Sequence, residues 1–412
     1  MTSNLLAALR SQKTKEKEQA VSETLPLVEA AKKGKVDEIK EILESGDGKV
    51  KVDQKDTDGV SALMHAAMRG HMDVLTLLIE RGGRIVAKDD QGETAIMKVA
   101  KLGNEQVLEF LVEAQLEGKK KGTATLNKRE SQRDAERARL LNAKDDEGAT
   151  ALMKAAEAGE LLIVEKILAW APQAAEAKDD EGWNAFMWAC LSGQLEVVQW
   201  LLENTSLTAD YVTENGETGL MKGAANGYWE VCELVLKNNC KVNQTDTHGQ
   251  TALMWAAANG HLAVVKGLVA HEAKADFETK EGKNALMLAA QFGWLEVCEY
   301  LADQGIKMSA KDNDGETALF PAVVSGNERL VEFLVDKKCP LEAHSRKGQS
   351  ALIYAAVHSQ VSCCKVLVAK KADLYKQDEN SQTALDHAEG QLNAPLVEFL
   401  RDAQRKAPKA AK

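Results

Sequence analysis

The sequence predicts an all-α repeat fold, a solenoid of stacked helix pairs, because one phrase recurs along it at a nearly fixed interval. The phrase opens with glycine, as in Gly148-Ala-Thr-Ala-Leu-Met-Lys-Ala-Ala. The equivalent glycines are Gly59, Gly92, Gly148, Gly182, Gly216, Gly249, Gly282, Gly315 and Gly348, with Ser381 in the last place. They are 33, 56, 34, 34, 33, 33, 33, 33 and 33 residues apart. Such a period indicates a repeat array, and the interval of 56 indicates an inserted segment.

Each part of the repeat has a physical reading. The glycine fits a turn with positive φ, and the Thr or Ser that follows in most repeats fits the N-cap of a first helix. The Ala-Ala pairs, such as Ala66-Ala67, allow neighbouring first helices to pack closely. A second helix carries apolar residues three and four apart, as at Val74, Leu77 and Leu78, and this stripe should seal one repeat to the next.

A 33-residue period with Gly-x-Thr-x-Leu, Ala-Ala-x-x-Gly-His and Val-x-x-Leu resembles the ankyrin repeat, a hairpin turn followed by two antiparallel helices. The resemblance covers roughly residues 25–404. It departs in detail, because the Pro-Leu-His of the family is Ala-Leu-Met in most repeats, a variant similar to ankyrin proteins of flagellated protists. The resemblance implies an ankyrin solenoid whose concave face binds proteins.

The chain divides into a leader at residues 1–24, disordered or a short helix, the repeat domain at 25–404, and a basic disordered tail at 405–412. We expect about nine full repeats between two capping units. The N-terminal unit is rich in charge, and Asp386 and Glu389 replace apolar residues in the C-terminal one. The insertion, at about 118–140, is strongly basic, and we expect a mobile projection whose second half is a polar helix.

The charge and composition limit the class of partner and the cellular location. A net charge of -11 disfavours nucleic acid as a partner. Seven cysteines without regular spacing indicate a reducing compartment, and no apolar run reaches the length of a membrane span. We expect a cytoplasmic location, or alternatively the cytoskeleton, a flagellum or the nucleus, and a monomer by itself.

No catalytic motif, cofactor site or metal site is expected. Asp312-Asn313-Asp314-Gly315 departs from a calcium loop, because Ala310 takes a ligand position and no Glu closes the loop. The recurring Lys-Asp-Asp runs, such as Lys88-Asp89-Asp90, belong to the repeat and do not indicate an acid–base pair. His71 and His261 should bond to nearby backbone. We therefore predict that the protein is not an enzyme.

The candidate partner-binding residues lie on the first helices, mainly at the position after Met, on the face turned away from the paired helix. They are Lys98, Lys154, Trp188, Lys222, Trp255, Leu288 and Tyr354, with Trp183 and Phe292 extending the aromatic part. The alternative is that Trp188 and Trp255 only pack on neighbouring repeats. Core packing is the preferred interpretation of Trp170, Trp200, Trp229 and Trp294. Pro321 should cost its first helix a hydrogen bond and bend the stack.

The preferred function is a scaffold or adaptor that binds one or more proteins along the concave groove. A structural component of a cytoskeletal or flagellar assembly, tethered by the basic insertion, is a second hypothesis. A regulatory subunit of an enzyme is a third.

Overall fold

The computed structural model describes residues 25–45, 51–117 and 126–406. They form 23 α-helices, one short 3-10 helix and isolated β-bridges in place of strands. The chain separates into two units, residues 1–207 and 208–412. The leader, the first part of the insertion and residues 407–412 of the tail lie outside the described residues.

Unit 1 contains five helix pairs and one additional helix. The pairs are α1 Pro26–Lys32 with α2 Val36–Ser45, α3 Ala62–Arg69 with α4 Met72–Glu80, α5 Ala95–Lys101 with α6 Glu105–Glu117, α8 Ala151–Ala158 with α9 Leu161–Trp170, and α10 Ala185–Leu191 with α11 Leu195–Asn204. The additional helix is α7 Leu126–Leu141, and the 3-10 helix Pro172–Glu176 follows α9.

Unit 2 contains six helix pairs. They are α12 Gly219–Ala225 with α13 Trp229–Lys237, α14 Ala252–Ala258 with α15 Leu262–Ala270, α16 Ala285–Gln291 with α17 Leu295–Asp303, α18 Leu319–Val324 with α19 Glu328–Asp336, α20 Ala351–Val357 with α21 Val361–Ala369, and α22 Ala384–Gly390 with α23 Ala394–Lys406. The last helix extends two residues past the predicted boundary at 404. The helix pairs confirm the predicted solenoid class.

Within each unit, first helices pack side by side, and second helices form an adjacent layer. The Ala-Ala pairs lie at these contacts and are fully buried, as Ala66 and Ala67 show. The second-helix stripe is buried too, with Val74 and Leu78 inaccessible. Because these positions recur in every repeat, the core is one continuous seam through each unit.

The methionine of the Ala-Leu-Met phrase completes the helix start. Thr94 Oγ1 accepts a hydrogen bond from the Met97 N–H at 3.3 Å, while Met97 Sδ accepts one from the Thr94 N–H at 3.5 Å. Thioether sulfur is a weak acceptor, but here it takes the part that Glu or Gln has in a capping box. In the terminal pair α22–α23, the exposed Asp386 replaces Met and accepts both the N–H and the hydroxyl of Thr383 at 2.7 Å. The predicted adaptation of this end is therefore visible in the capping bonds.

The turns stack on one another as closely as the helices do. The Asp146 N–H donates to the carbonyl of Gln91 in the preceding turn at 3.1 Å. Gly92 has φ +78°, and a Cβ on it would lie 2.3 Å from Asp146 Oδ1. Glycine is required there by the backbone conformation and by the next turn together. Gly82, with φ +90°, would meet nothing within 4 Å.

The insertion helix α7 packs against α6, α9 and the 3-10 helix, while α5 and α8 remain in direct contact. Arg133 and Arg137 pair with Glu113 of α6 at 2.5 and 2.9 Å. The Arg137 guanidinium and the Lys166 ammonium lie 5.5 and 5.6 Å from the ring centre of Trp170. The expectation of a mobile projection is therefore wrong for residues 126–141, although the predicted polar helix is present.

Pro321 shortens α18 at its start. In the next repeat, the Tyr354 N–H donates to the Ser350 carbonyl at 2.9 Å. Proline has no N–H for the equivalent bond, and Phe320 donates instead to Thr317 at 3.0 Å. The helix consequently begins at Leu319. The loss of the hydrogen bond is confirmed, and the bend of the stack stays a prediction.

Candidate functional site: the inner face of the first helices

The candidate site is built from two aligned columns of residues in each unit. The inner column follows the methionine position and comprises His65, Lys98, Lys154 and Trp188 in unit 1, and Lys222, Trp255, Leu288, Pro321, Tyr354 and His387 in unit 2. The turn column precedes each member by nine residues and comprises Asp56, Asp89, Asp145 and Asp179, then Thr213, Asp246, Thr279, Asp312, Ser345 and Asp378.

Each turn aspartate uses its two carboxylate oxygens differently. In Asp179, Oδ1 accepts the backbone N–H groups of Glu181 at 3.0 Å and Trp183 at 2.8 Å, which closes the turn. Oδ2 accepts the indole N–H of Trp188 at 2.8 Å. The inner-column side chain is therefore held by its own turn, nine residues upstream.

This arrangement recurs with different donors. The turn carboxylate accepts from His65 at 2.7 Å, Lys98 at 2.6 Å, Lys154 at 2.8 Å, Trp255 at 3.3 Å and His387 at 2.8 Å. Imidazole, ammonium and indole share only an N–H donor of the required reach. The bond, rather than the identity of the donor, is what these repeats have in common.

Where the turn residue is not aspartate, the inner-column side chain either has no donor or pairs with another residue. Thr279 closes its turn through Oγ1, at 3.2 Å from the Glu281 nitrogen and 3.1 Å from the Lys283 nitrogen, and its inner-column partner is Leu288, which has no donor. Lys222, opposite Thr213, pairs instead with Glu217 at 2.7 Å.

Tyr354, opposite Ser345, lies beside Glu316 of the preceding turn, and both line the same cavity. Burial and the negative charge of Glu316 raise the pKa of Tyr354 to about 12. The phenol is therefore neutral throughout the ordinary pH range.

The lysines of unit 1 are engaged within the protein. Lys98 pairs with Asp89 and with Glu93, the latter at 2.7 Å, and Lys154 pairs with Asp145 and with the same Glu93 at 3.4 Å. Burial would lower the pKa of both lysines, but these carboxylates outweigh it and raise the pKa. Both ammoniums are mostly buried in ion pairs, so these two candidate residues offer a partner little free positive charge, and their role in binding stays a prediction.

The two candidate aromatic residues of unit 1, Trp183 and Trp188, form one cluster. The rings of Trp183 and Trp188 meet edge to face with centroids 6.1 Å apart, and the Lys154 ammonium lies 5.4 Å from the centre of the Trp188 ring. Both tryptophans are half-buried. Packing and partial exposure therefore coexist there, and the two sequence-based alternatives for Trp188 are not exclusive.

In unit 2, three candidate residues line one groove of about 780 Å³: Trp255, Leu288 and Phe292. Phe292 is 57% exposed, whereas Leu288 is buried. Tyr354 lines a neighbouring cavity of about 210 Å³, which shares Lys283 and Gln291 with the groove. We call the larger cavity the unit-2 groove.

A second recurring contact joins neighbouring repeats at the start of the second helix. His71 Nε2 lies 3.3 Å from the Lys32 carbonyl, and His261 Nε2 lies 3.0 Å from the Ala225 carbonyl, which confirms the structural interpretation of these histidines. Trp294 has the same place, and its indole N–H donates to the Ala258 carbonyl at 2.9 Å.

The four tryptophans assigned to the core are not fully buried. Trp294 is 42% exposed, while Trp170, Trp200 and Trp229 are half-buried. Trp229 packs over Gly267, whose added Cβ would lie 2.0 Å from the indole. The prediction of core packing is therefore wrong for Trp294 and only partly right for the others.

Sequence reasoning missed the turn carboxylates as partners of the inner column. A signal was available, since the chain places a donor nine residues after six of the seven turn aspartates, the exception being Asp312 with Pro321. Two cysteines of the second helices lie in the core. Cys232 and Cys298 are fully buried, and burial raises the pKa of each thiol to about 12. They act as small apolar residues of the core.

Comparison with known proteins agrees with this architecture. The family model described as ankyrin repeats (3 copies) matches residues 9–125, 135–214, 206–281, 268–343 and 322–409. The chain belongs to the ankyrin-repeat family. A crystal structure of the human ASB11 ankyrin repeat domain is similar at 23% identity, with a TM-score of 0.49, over 55% of this chain and 99% of that one. No curated protein sequence matches the chain.

Ankyrin repeats are in general protein interaction modules and typically lack catalytic activity. Within residues 25–45, 51–117 and 126–406, no helix has the length and apolar character needed to cross a membrane. In the same ranges, no group of three or more His, Cys, Asp or Glu side chains is arranged to hold a metal ion.

Proposed function

We propose that this ankyrin-repeat protein is a non-enzymatic adaptor that holds a protein partner in the unit-2 groove. The observation that carries the proposal is the exposed Phe292 beside Trp255 and Leu288 in a single concavity. Large aromatic side chains that bury on binding supply much of the energy of protein interfaces. Polar residues such as Asn259 and Lys280 line the rest of the groove and form its rim.

The best test separates the groove from exposed aromatic surface elsewhere. A photo-crosslinking amino acid at position 292 is compared in native lysate with one at Tyr375, which is 54% exposed and does not line the groove. A defined protein should crosslink at 292 and not at 375. Phe292→Glu should then abolish its binding in a purified assay, while Tyr375→Glu should retain it.

Equal capture at both positions, or unchanged binding by Phe292→Glu, would refute the groove as the interface. Phe292→Glu is preferable to removal of Trp255, because that indole also bonds to Asp246 of its turn. Loss of Trp255 could thus weaken binding through the turn alone.

The cytoskeletal alternative depends on the insertion as a basic tether. Two arginines of α7, Arg133 and Arg137, pair with Glu113 of α6, while the exposed Arg139 pairs with Glu136 of α7 itself at 2.7 Å. These pairs leave less positive charge for an acidic surface than the sequence suggests. Deleting residues 118–140 tests the tether, which requires that the deletion abolish binding to the assembly. For location, the seven thiols support a reducing compartment such as the cytoplasm.

A further inference from the structure

The turn before α18 carries the same pair of carboxylates that binds an ammonium elsewhere in the chain. Asp89 and Glu93, four residues apart, together hold the Lys98 Nζ at 2.6 and 2.7 Å. Asp312 and Glu316 have the same spacing and the same places in the eighth repeat. The second repeat therefore shows that a pair of carboxylates in these two places binds a lysine ammonium.

In the eighth repeat the inner column supplies no donor. Pro321 occupies the position of the lysine, and its ring has no N–H. Across the described ranges, no lysine, arginine or histidine forms an ion pair with Asp312 or Glu316. Asp312 Oδ1 still accepts the N–H groups of Asp314 and Glu316, each at 2.9 Å, so the carboxylate is oriented as in the other turns.

The space at this position is a cavity of about 210 Å³ with carboxylates at one side and apolar walls at the other. The polar lining includes Asp312, Glu316 and Tyr354, and the apolar lining includes Pro321 and Val324. Lys283 also lines the cavity, but its ammonium pairs with Glu281 at 3.1 Å and not with either acid of the pair. At about 30 Å³ per water in the liquid, the volume corresponds to roughly seven waters. A butylammonium group, with five heavy atoms, fits in that volume.

The electrostatics of the cavity favour a cation. Burial and the charge of Asp312 raise the pKa of Glu316, and the charge of the nearby Lys283, which pairs with Glu281, opposes this only in part. Tyr354 also lines the cavity and lies beside Glu316, where its neutral phenol adds a polar group without adding charge.

We propose that Asp312 and Glu316 form a binding site for a primary alkylammonium, the lysine side chain of the protein partner, in the place that Lys98 fills in the second repeat. The unbranched stem would lie along Pro321 and Val324. A compact ammonium is preferred to a guanidinium because the template pair converges on one nitrogen. The inference rests on the proposed function, since it names a side chain that the partner would insert beside the unit-2 groove.

The first experiment measures the ammonium site without any partner. n-Butylammonium chloride is titrated into the full-length protein and followed by ligand-detected saturation-transfer NMR, with 1-butanol as the uncharged control. Butylammonium should bind and butanol should not. The double variant Asp312→Asn, Glu316→Gln, which keeps the acceptor that closes the turn, should weaken binding at least tenfold.

A second pair of variants fills or spares the site while leaving the acids in place. Pro321→Lys should supply the ammonium internally, as Lys98 does, and so abolish butylammonium binding. Pro321→Leu, its matched control, should retain binding, and circular dichroism verifies the fold of both. Equal binding by the wild type and the double variant, or by the two position-321 variants, would overturn the proposal.

The two proposals can fail separately. If Phe292→Glu abolishes partner binding but butylammonium does not bind, the groove stands and the lysine site falls. If butylammonium binds specifically but no partner crosslinks at position 292, the ammonium site stands and the proposed interface falls. The assignment to a partner lysine is tested by acetylating the lysines of the partner. Acetylation should weaken the binding of the partner to the wild-type protein at least tenfold more than it weakens the binding of the partner to Pro321→Lys.

Discussion

The bond between Trp188 and Asp179 should be measurable as a coupling free energy within one repeat. Trp188→Phe removes the indole N–H but keeps an aromatic ring. Asp179→Thr imitates Thr279, which closes its turn through a hydroxyl and leaves its inner-column partner unbonded. A hydrogen bond to a charged group contributes about 1.5–3 kcal/mol, and because Trp188 is half-buried we expect a coupling of about 1–2 kcal/mol.

The assay should report local stability, because a repeat array need not unfold in two states. Native-state hydrogen exchange of the peptides that span 179–188 gives the opening free energy of this repeat for the wild type, both single variants and the double variant. Trp255→Phe is the internal comparison, since its bond is 3.3 Å long and should contribute less. A coupling below about 0.5 kcal/mol, within the error of additivity, would refute the view that the turn carboxylate fixes the inner column.

Three further results are expected. Gly92→Ala should cost about 1 kcal/mol more than Gly82→Ala in urea unfolding, because both have positive φ but only the first places its Cβ against Asp146; equal losses would contradict this. Burial lowers the pKa of His65 in the folded protein below its ordinary value of about 6.5. The urea midpoint should therefore be constant above about pH 6.5 and fall as the pH drops through the lower pKa of the folded state, and His65→Gln should reduce this fall. Trp294→His should retain the bond to the preceding repeat, as His261 does, whereas Trp294→Leu should lose about 1 kcal/mol in the same assay; indistinguishable variants would show that the bond is unimportant.

The repeat architecture was predictable because it depends on short-range chemistry that recurs in the chain. The residue type alone indicates the structural role of the turn glycine, the N-cap and the Ala-Ala pair. Because the same residues recur in repeat after repeat, the secondary structure is more certain than it would be from one copy. The position of α7 was not predictable, because its contacts depend on Glu113 and Trp170, which are distant in sequence and not part of the repeat consensus. The local pairs Arg137–Asp134 and Arg139–Glu136 are readable from the sequence, but they are compatible with a solvated helix and do not indicate the contact with Glu113.

The position after methionine could be singled out from the sequence, but its electrostatic state could not. Lys98 and Lys154 are satisfied by Asp89, Asp145 and Glu93, and each aspartate lies in the turn nine residues upstream of its lysine. Burial and pairing depend on how the turn folds back on the helix, and residue type alone does not give this.

The inner column also changes how partner contacts should be sought in this chain. Where a donor meets its turn carboxylate, as at Trp188, the side chain already contributes to the repeat, and its removal confuses stability with binding. Four inner-column residues of unit 2 have no bond to an aspartate nine residues upstream: Lys222 and Tyr354 lie beside Glu217 and Glu316 instead, whereas Leu288 and Pro321 carry no donor at all. Leu288 and Pro321 belong to adjacent repeats and line the unit-2 groove and its neighbouring cavity. Because a substitution of either one removes no bond to the turn, its effect on binding is separable from stability, and these residues, rather than the paired tryptophans and lysines, are the ones on which a search for the partner should concentrate.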